Sequence, residues 1–201
     1  LYRDITSPGP MNRLLQGDVG SGKTVVAMAA ITIVLEQGRQ AALMAPTEIL
    51  AGQHCENARK LMGESLRIEL LTGSTPKNEK KRIYESVLSG GTDLLIGTHA
   101  IIQEGISFRD LGLIIIDEQH RFGVEQRSAL REKSETADLL VMTATPIPRS
   151  LSLTLYGDLS LTSIRTMPAN RLPVKTMFFS GSRLQGVYNS LEKYVSQGRQ
   201  V

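Results

Sequence analysis

Gly17, Asp18, Val19, Gly20, Ser21, Gly22, Lys23 and Thr24 satisfy the pattern G-x-x-x-x-G-K-[ST], and every residue type in it answers a need of phosphate binding. Glycines let the backbone turn tightly, so that successive N–H groups converge on an anion, and the helix that follows adds its positive end. Lys23 supplies a cation for outer phosphates, and Thr24 a hydroxyl for Mg²⁺. The context agrees: the apolar run RLLQ precedes the turn, and a helical pattern follows from Thr24. These eight positions form the candidate cofactor-binding set.

A second constellation lies about a hundred positions on. LGLIIIDEQH sets Asp117 and Glu118 at the end of an unbroken apolar run. Hydrolysis of a γ-phosphate needs a metal and an oriented water, and little other covalent help. Asp117 is the candidate metal holder through its water shell, beside Thr24, and Glu118 the candidate water activator. Acids that merely cap the next turn are the bland alternative.

Both sets need a sheet to present them. Short apolar runs alternate with helix-length amphipathic stretches: RLLQ, AALMAP, RIELLTG, TDLLIGTH, LGLIIIDE and ADLLVMTATP, with helices from Thr24, from about Glu48 and through Glu79 to Leu88. That order predicts an α/β fold with a mostly parallel central sheet and helices on both faces. LIII before Asp117 shows no alternation, as a strand buried on both sides requires. The carboxyl ends of parallel strands share one edge, where ligands bind.

Composition sets outer bounds. The 201 residues suffice for one domain, or one and part of another. Apolar residues make up 41 %, yet no run approaches the roughly 18 to 20 needed to cross a bilayer, and no charged-then-apolar leader stands at Leu1. A soluble, cytoplasmic protein without a membrane partner is expected. The single cysteine, Cys55, lies in a helical pattern and is read as packing. A net charge of +3 is too small an excess to argue for a polyanionic partner by itself. The densest basic run, PKNEKKR, reads as a solvated helix face. Aromatics at 4 %, with no Trp, argue against a base-stacking platform.

Several nucleotide machines share a phosphate loop. A GTPase should carry an N-K-x-D guanine reader, which the sequence lacks, and a P-loop kinase has no need of Glu118. Leu88-Ser89-Gly90-Gly91 resembles part of a transporter signature, but a helix precedes it and a strand follows, so glycine termination of a helix is the better account. A nucleic-acid motor is supported by MAPTEILAGQH, LLTGS and IGTHA, each setting small or hydroxyl residues just after a strand. Amides and hydroxyls at such an edge grip phosphates without reading bases.

At this point the sequence resembles the first RecA-like motor domain of the superfamily-two DNA helicases, most closely those of the RecG type. GDVGSGKT, MAPTEILAGQH, IGTHAIIQ, IIIDEQHRFGVEQR and MTATPIPR carry the resemblance, which covers nearly the whole chain. The transcription-repair coupling translocases, the next nearest group, usually differ at Gln119 and Ser21. The resemblance implies ATP and Mg²⁺ as cofactors, with Lys23, Asp117, Glu118, Gln119 and His120 catalytic and the last two beside the nucleotide. It implies that Thr143, Ala144 and Thr145 relay the nucleotide's state, and that Thr47, Gly73 and Thr98 touch the DNA backbone.

The implied activity is ATP hydrolysis coupled to translocation on, and remodelling of, branched or forked DNA. A nucleotide-dependent switch, or a degenerate binding module, is the alternative. Residues 1–167 are expected to form the ATP-binding domain, 168–175 a connector around Pro168 and Pro173, and 176–201 the start of a second α/β motor domain, with VKTMFF as a strand and a helix from about Arg183 to Ser196. SIRTMPANRLPVK departs from the family's usual connector. A fork-recognising wedge, an adenine-reading glutamine and a second motor domain with an arginine finger are expected elsewhere in a parent chain, so the isolated piece should turn over poorly.

Overall fold

Seven short segments hydrogen-bond side by side in the order β3-β4-β2-β5-β6-β1-β7, every neighbouring pair parallel. They are β1 (Asn12–Gly17), β2 (Gln40–Met44), β3 (Ile68–Leu71), β4 (Leu94–Gly97), β5 (Leu111–Ile116), β6 (Asp138–Thr143) and β7 (Ser160–Ile164). The computed structural model describes residues 1–63, 66–102, 105–117, 136–145, 159–166, 176 and 178–200. It divides into two units, Leu1–Pro168 and Ala169–Val201.

The apolar runs become central strands for the reason their lack of alternation implies. Every residue of β2, β4, β5 and β6 is buried, because helices cover both faces. Alternate residues then serve opposite faces. Leu43, Leu113, Ile115 and Leu140 join α2 (Lys23–Glu36) and α3 (Glu48–Met62) in one core cluster. Ala42, Met44, Ile114, Ile116 and Val141 join α4 (Lys77–Ser89) and the 3₁₀ turn His99–Ile101 in the other. A one-turn helix, α1 (Tyr2–Ile5), precedes β1 and packs with α2.

Local signals explain the ends of these elements. Thr47 caps α3, its Oγ1 accepting from Leu50 N at 3.3 Å. Gly90 ends α4 in the left-handed region at φ +77°, and Gly91 N donates to Ser86 O at 2.7 Å, so Leu88 to Gly91 is a glycine helix terminus, as read from the sequence. The basic run on α4 lies mostly in solvent, with Arg82 gripping Glu69 and Glu79. Cys55 is buried in the first core cluster, and burial pushes its thiol up.

The second unit contains a 3₁₀ turn, Gly181–Arg183, and α5 (Leu184–Ser196). Of VKTMFF, expected as a strand, Val174, Lys175 and Met177 lie outside the described residues, and Thr176, Phe178 and Phe179 are in no strand. A strand needs a partner for its backbone groups, and among the described residues this unit offers no second one. The connector expected over 168–175 lies outside the described residues.

Candidate nucleotide site and the shared sheet edge

Because all seven strands run the same way, all seven carboxyl ends meet along one rim. The order of strands divides that rim. β5, β6 and β1 are consecutive and end in Asp117, in Thr143-Ala144-Thr145 and in the glycine-rich loop. β3, β4 and β2 are consecutive and end in Gly73, Thr98 and Thr47. Candidate nucleotide residues and candidate DNA residues therefore occupy adjoining halves of one edge.

On the first half, Gly20 and Gly22 take φ of +78° and +95°, which turn the loop into the amino end of α2. A Cβ on Gly17 would strike Ser21 Oγ and lie 3.2 Å from Ile164 Cβ, so the loop packs too closely for any side chain there. Lys23 Nζ folds over the loop and donates to Gly17 O at 2.8 Å and Asp18 O at 3.1 Å. Ser21 Oγ is buried without a hydrogen-bond partner. A left-handed glycine turn, an unmatched hydroxyl and a poised ammonium at the start of a 14-residue helix fit a polyphosphate. Thr24 follows Lys23 on the helix's first turn. The loop residues expected from the sequence are thus brought together, with Val19 exposed and Asp18 Oδ1 accepting from Val19 N at 2.7 Å.

Asp117 follows β5, two strand spacings from β1, or about 10 Å. It is buried; its N–H donates to Met44 O at 2.9 Å, and its Oδ2 lies 2.6 Å from His54 Nε2. Among the described residues no three His, Cys, Asp or Glu side chains gather into a cage. A metal there would be held largely by phosphate oxygens and water, the usual manner of Mg²⁺. Glu118, Gln119 and His120 lie outside the described residues.

Between these two parts runs β6. Thr143 is fully buried, and its Oγ1 accepts from Thr145 N at 3.2 Å, closing a turn in which Ala144 is half-buried. Gln16, one residue before the loop, donates to Thr145 O at 3.2 Å. That contact joins the candidate relay segment to the phosphate loop's own strand. A cleft of about 400 Å³ opens there, lined by Gln16, Gly17, Asp18, Ala144, Ser163, Ile164 and Arg165.

On the second half, Thr47 is half-buried at the cap of α3, and Thr98 is buried with its Oγ1 lacking a partner. Gly73 belongs to the turn after β3. Glu48 braces that turn, accepting from Ser74 N at 3.0 Å and from Ser74 Oγ at 2.7 Å. These bonds, the side-chain one foremost, hold the Glu48 carboxyl below its ordinary range. Glu48, Gln16 and His54 are functional candidates that sequence reasoning passed over. His54 was legible as a polar residue on a buried face beside Ala51, Cys55 and Ala58; its partner, 63 positions away, was not.

Comparison with known proteins bears on the family and the fold. Residues 4–154 match the family described as DEAD/DEAH box helicase. The ATP-dependent DNA helicase RecG of Streptococcus pneumoniae serotype 4 is 52 % identical over 201 residues, 100 % of this chain and 30 % of that protein. RecG of a Synechocystis species is 49 % identical over 202 residues, covering 100 % of this chain and 24 % of that protein. A solved structure of RecG bound to a three-way DNA junction matches with a TM-score of 0.83 and 46 % identity, over 98 % of this chain and 26 % of that one. A DEAD box protein from Methanococcus jannaschii matches at 0.58 and 22 % identity, over 77 % and 46 %, and shows the shared fold. The chain spans less than a third of the length of these RecG relatives. Its parallel sheet with flanking helices is the RecA-like fold.

Proposed function

The chain belongs to the DEAD/DEAH box helicase family, and from that premise we propose that it is the ATP-binding motor domain of a RecG-type helicase, coupling ATP hydrolysis to movement on and remodelling of branched DNA. The observation that carries this is the shared rim. The phosphate loop and Asp117 follow strands β1 and β5, and the three turns expected to grip the DNA backbone follow the adjoining β2, β4 and β3.

When bound, ATP supplies the phosphoanhydride whose cleavage drives the cycle, and Mg²⁺ neutralises its phosphates. The chain's own residues then have distinct tasks. Loop N–H groups and the amino end of α2 hold the phosphates, and Lys23 exchanges its two carbonyl partners for phosphate oxygens. Thr24 and Asp117 orient the metal, and Glu118 aligns water for in-line attack, with Gln119 and His120 beside it. Thr143, Ala144 and Thr145 sit between the two parts, so a shift at the γ-phosphate reaches packed backbone at once. Thr47 and Gly73, half-buried and exposed, would meet the DNA backbone without reading sequence, whereas Thr98, expected to join them, is buried and as it stands does not reach the surface.

Residues 1–167 constitute the motor domain in this reading, 168–175 the connector and 176–201 the start of its partner. That partner would bring an arginine finger, worth on the order of 10³ to 10⁵ in rate, and a wedge elsewhere in the parent would recognise the fork. Action on DNA fits the cytoplasmic location expected from the sequence. The test is ATP hydrolysis by the full-length parent, with and without forked DNA, beside this chain alone. Forked DNA should stimulate the parent strongly, and the chain alone should be slower by about the arginine-finger factor. Vigorous DNA-stimulated turnover by this chain alone would overturn the reading that a partner domain must complete the site. Fork binding by the parent that responds to a non-hydrolysable nucleotide, with no hydrolysis at all, would favour a switch over a motor.

A further inference from the structure

The boundary between the two halves of the rim falls between β2 and β5, and among the described residues the His54–Asp117 side-chain pair crosses it. His54 Nε2 lies 2.6 Å from Asp117 Oδ2, with both residues buried at 7 % and 9 % exposure. An ionised carboxylate can only accept, so Nε2 carries the proton in this contact. The other ring nitrogen, Nδ1, is buried without a partner. A lone pair left unmatched in a core is costly, so the ring is not there to satisfy itself. The hydrogen bond it makes among the described residues is the one to Asp117.

The backbone repeats the connection. Asp117 N donates to Met44 O at the end of β2, and the chain runs from Met44 through Thr47 into α3, reaching His54 two turns after the cap. Asp117 is therefore fixed at two points, main chain and side chain, by one segment, MAPTEILAGQH. Neither point is local in sequence to β5. Among the described residues, His54 is the side chain that contacts the Asp117 carboxylate.

We propose that His54 is a positioning residue for Asp117: its Nε2–H holds Oδ2, so that the other oxygen is presented to the water shell of a nucleotide-bound Mg²⁺. The inference rests on the reading of Asp117 as the metal-orienting acid. Partners behind a metal-directed group fix its orientation, and their loss lowers metal affinity by about 10- to 100-fold.

The experiment uses the full-length parent protein and a fluorescent ADP, with Mg²⁺ titrated from zero to saturation. Compared are wild type, His54→Leu, His54→Asn, His54→Gln and Asp117→Ala, each checked for fold by near-ultraviolet circular dichroism. Leucine fills the space without a donor. Asparagine stays polar but falls short of Nε2, which keeps the test open if leucine unfolds the core. Glutamine restores an N–H at about the reach of Nε2.

His54→Leu and His54→Asn should raise the Mg²⁺ needed for half-maximal nucleotide affinity by about tenfold or more. Their affinity without Mg²⁺ should stay within about twofold of wild type, and His54→Gln should return to within about threefold. Folded Leu and Asn variants with wild-type Mg²⁺ dependence overturn the proposal, as does a Gln variant as impaired as they are. If Asp117→Ala shifts the Mg²⁺ dependence and the His54 variants do not, His54 alone is misassigned. If Asp117→Ala leaves it unshifted, the metal reading of Asp117 falls and the proposal with it.

Discussion

Replacing Lys23 by alanine gives the phosphate loop its most direct trial. The ammonium donates to two loop carbonyls, at 2.8 and 3.1 Å, and must release both to serve a nucleotide. The affinity at stake is a difference between phosphate oxygens and neutral carbonyls. A net hydrogen bond to a charged group is worth about 1.5 to 3 kcal/mol, and one such increment, not two, should survive the exchange. At about 1.4 kcal/mol per tenfold, nucleotide affinity should fall by roughly 10- to 150-fold. The same truncation leaves the loop without its internal clasp, at a cost of about 1 kcal/mol. For a domain of this size, that lowers Tm by about 2 to 4 °C. Titration of the full-length parent with fluorescent ADP at saturating Mg²⁺ measures the first effect, and a thermal melt of this domain the second. Affinity within about threefold of wild type, in a protein that still melts cooperatively, would refute the assignment of this loop.

Three further outcomes are expected. Glu118→Gln in the parent should leave nucleotide affinity intact while steady-state turnover drops by about 10² to 10⁴, and a parallel loss of affinity would mark Glu118 as structural. Thr47→Ala should cost about 1 kcal/mol through the lost cap of α3 and lower the domain's Tm by about 2 to 4 °C, with Thr47→Ser close to wild type. Burial raises the Asp93 carboxyl, but the Arg67 guanidinium and N–H outweigh it, so the net position lies below the ordinary 3.8. A carboxyl depressed in the folded state contributes stability above its unfolded value and loses it as pH falls further. Urea unfolding of Arg67→Met should therefore show a shallower decline than wild type below about pH 4, by no more than about 1 kcal/mol for so exposed a pair.

How much of this was legible follows from burial. Central strands such as LIII announce themselves because burial on both faces leaves few polar positions, and β2, β4, β5 and β6 were readable on that ground, while β1 and β3, only partly buried, were readable as short apolar runs between helical patterns. β7 escaped because SLTSI is largely exposed at an edge, where packing imposes no apolar pattern. α1, a single turn, is too short to show a period. The phosphate loop and Asp117 were readable because their chemistry is local: a turn and a strand end. What joins the parts was hidden for the opposite reason. His54 meets Asp117, and Gln16 meets Thr145, only because strands far apart in sequence lie side by side.

The strand bearing the phosphate loop is made early and paired late. Asn12 finds Leu139, and Arg13 finds Ser160, so β1 waits for more than 120 residues before either sheet neighbour exists. β2, β4, β3 and β5 pair among themselves across shorter spans and can assemble while β1 is still unmatched. Closing so long a loop is slow, which makes the cradle a late event in folding. A nucleotide that needs the finished cradle cannot hasten the early steps; its effect falls on the rate at which the completed fold comes apart.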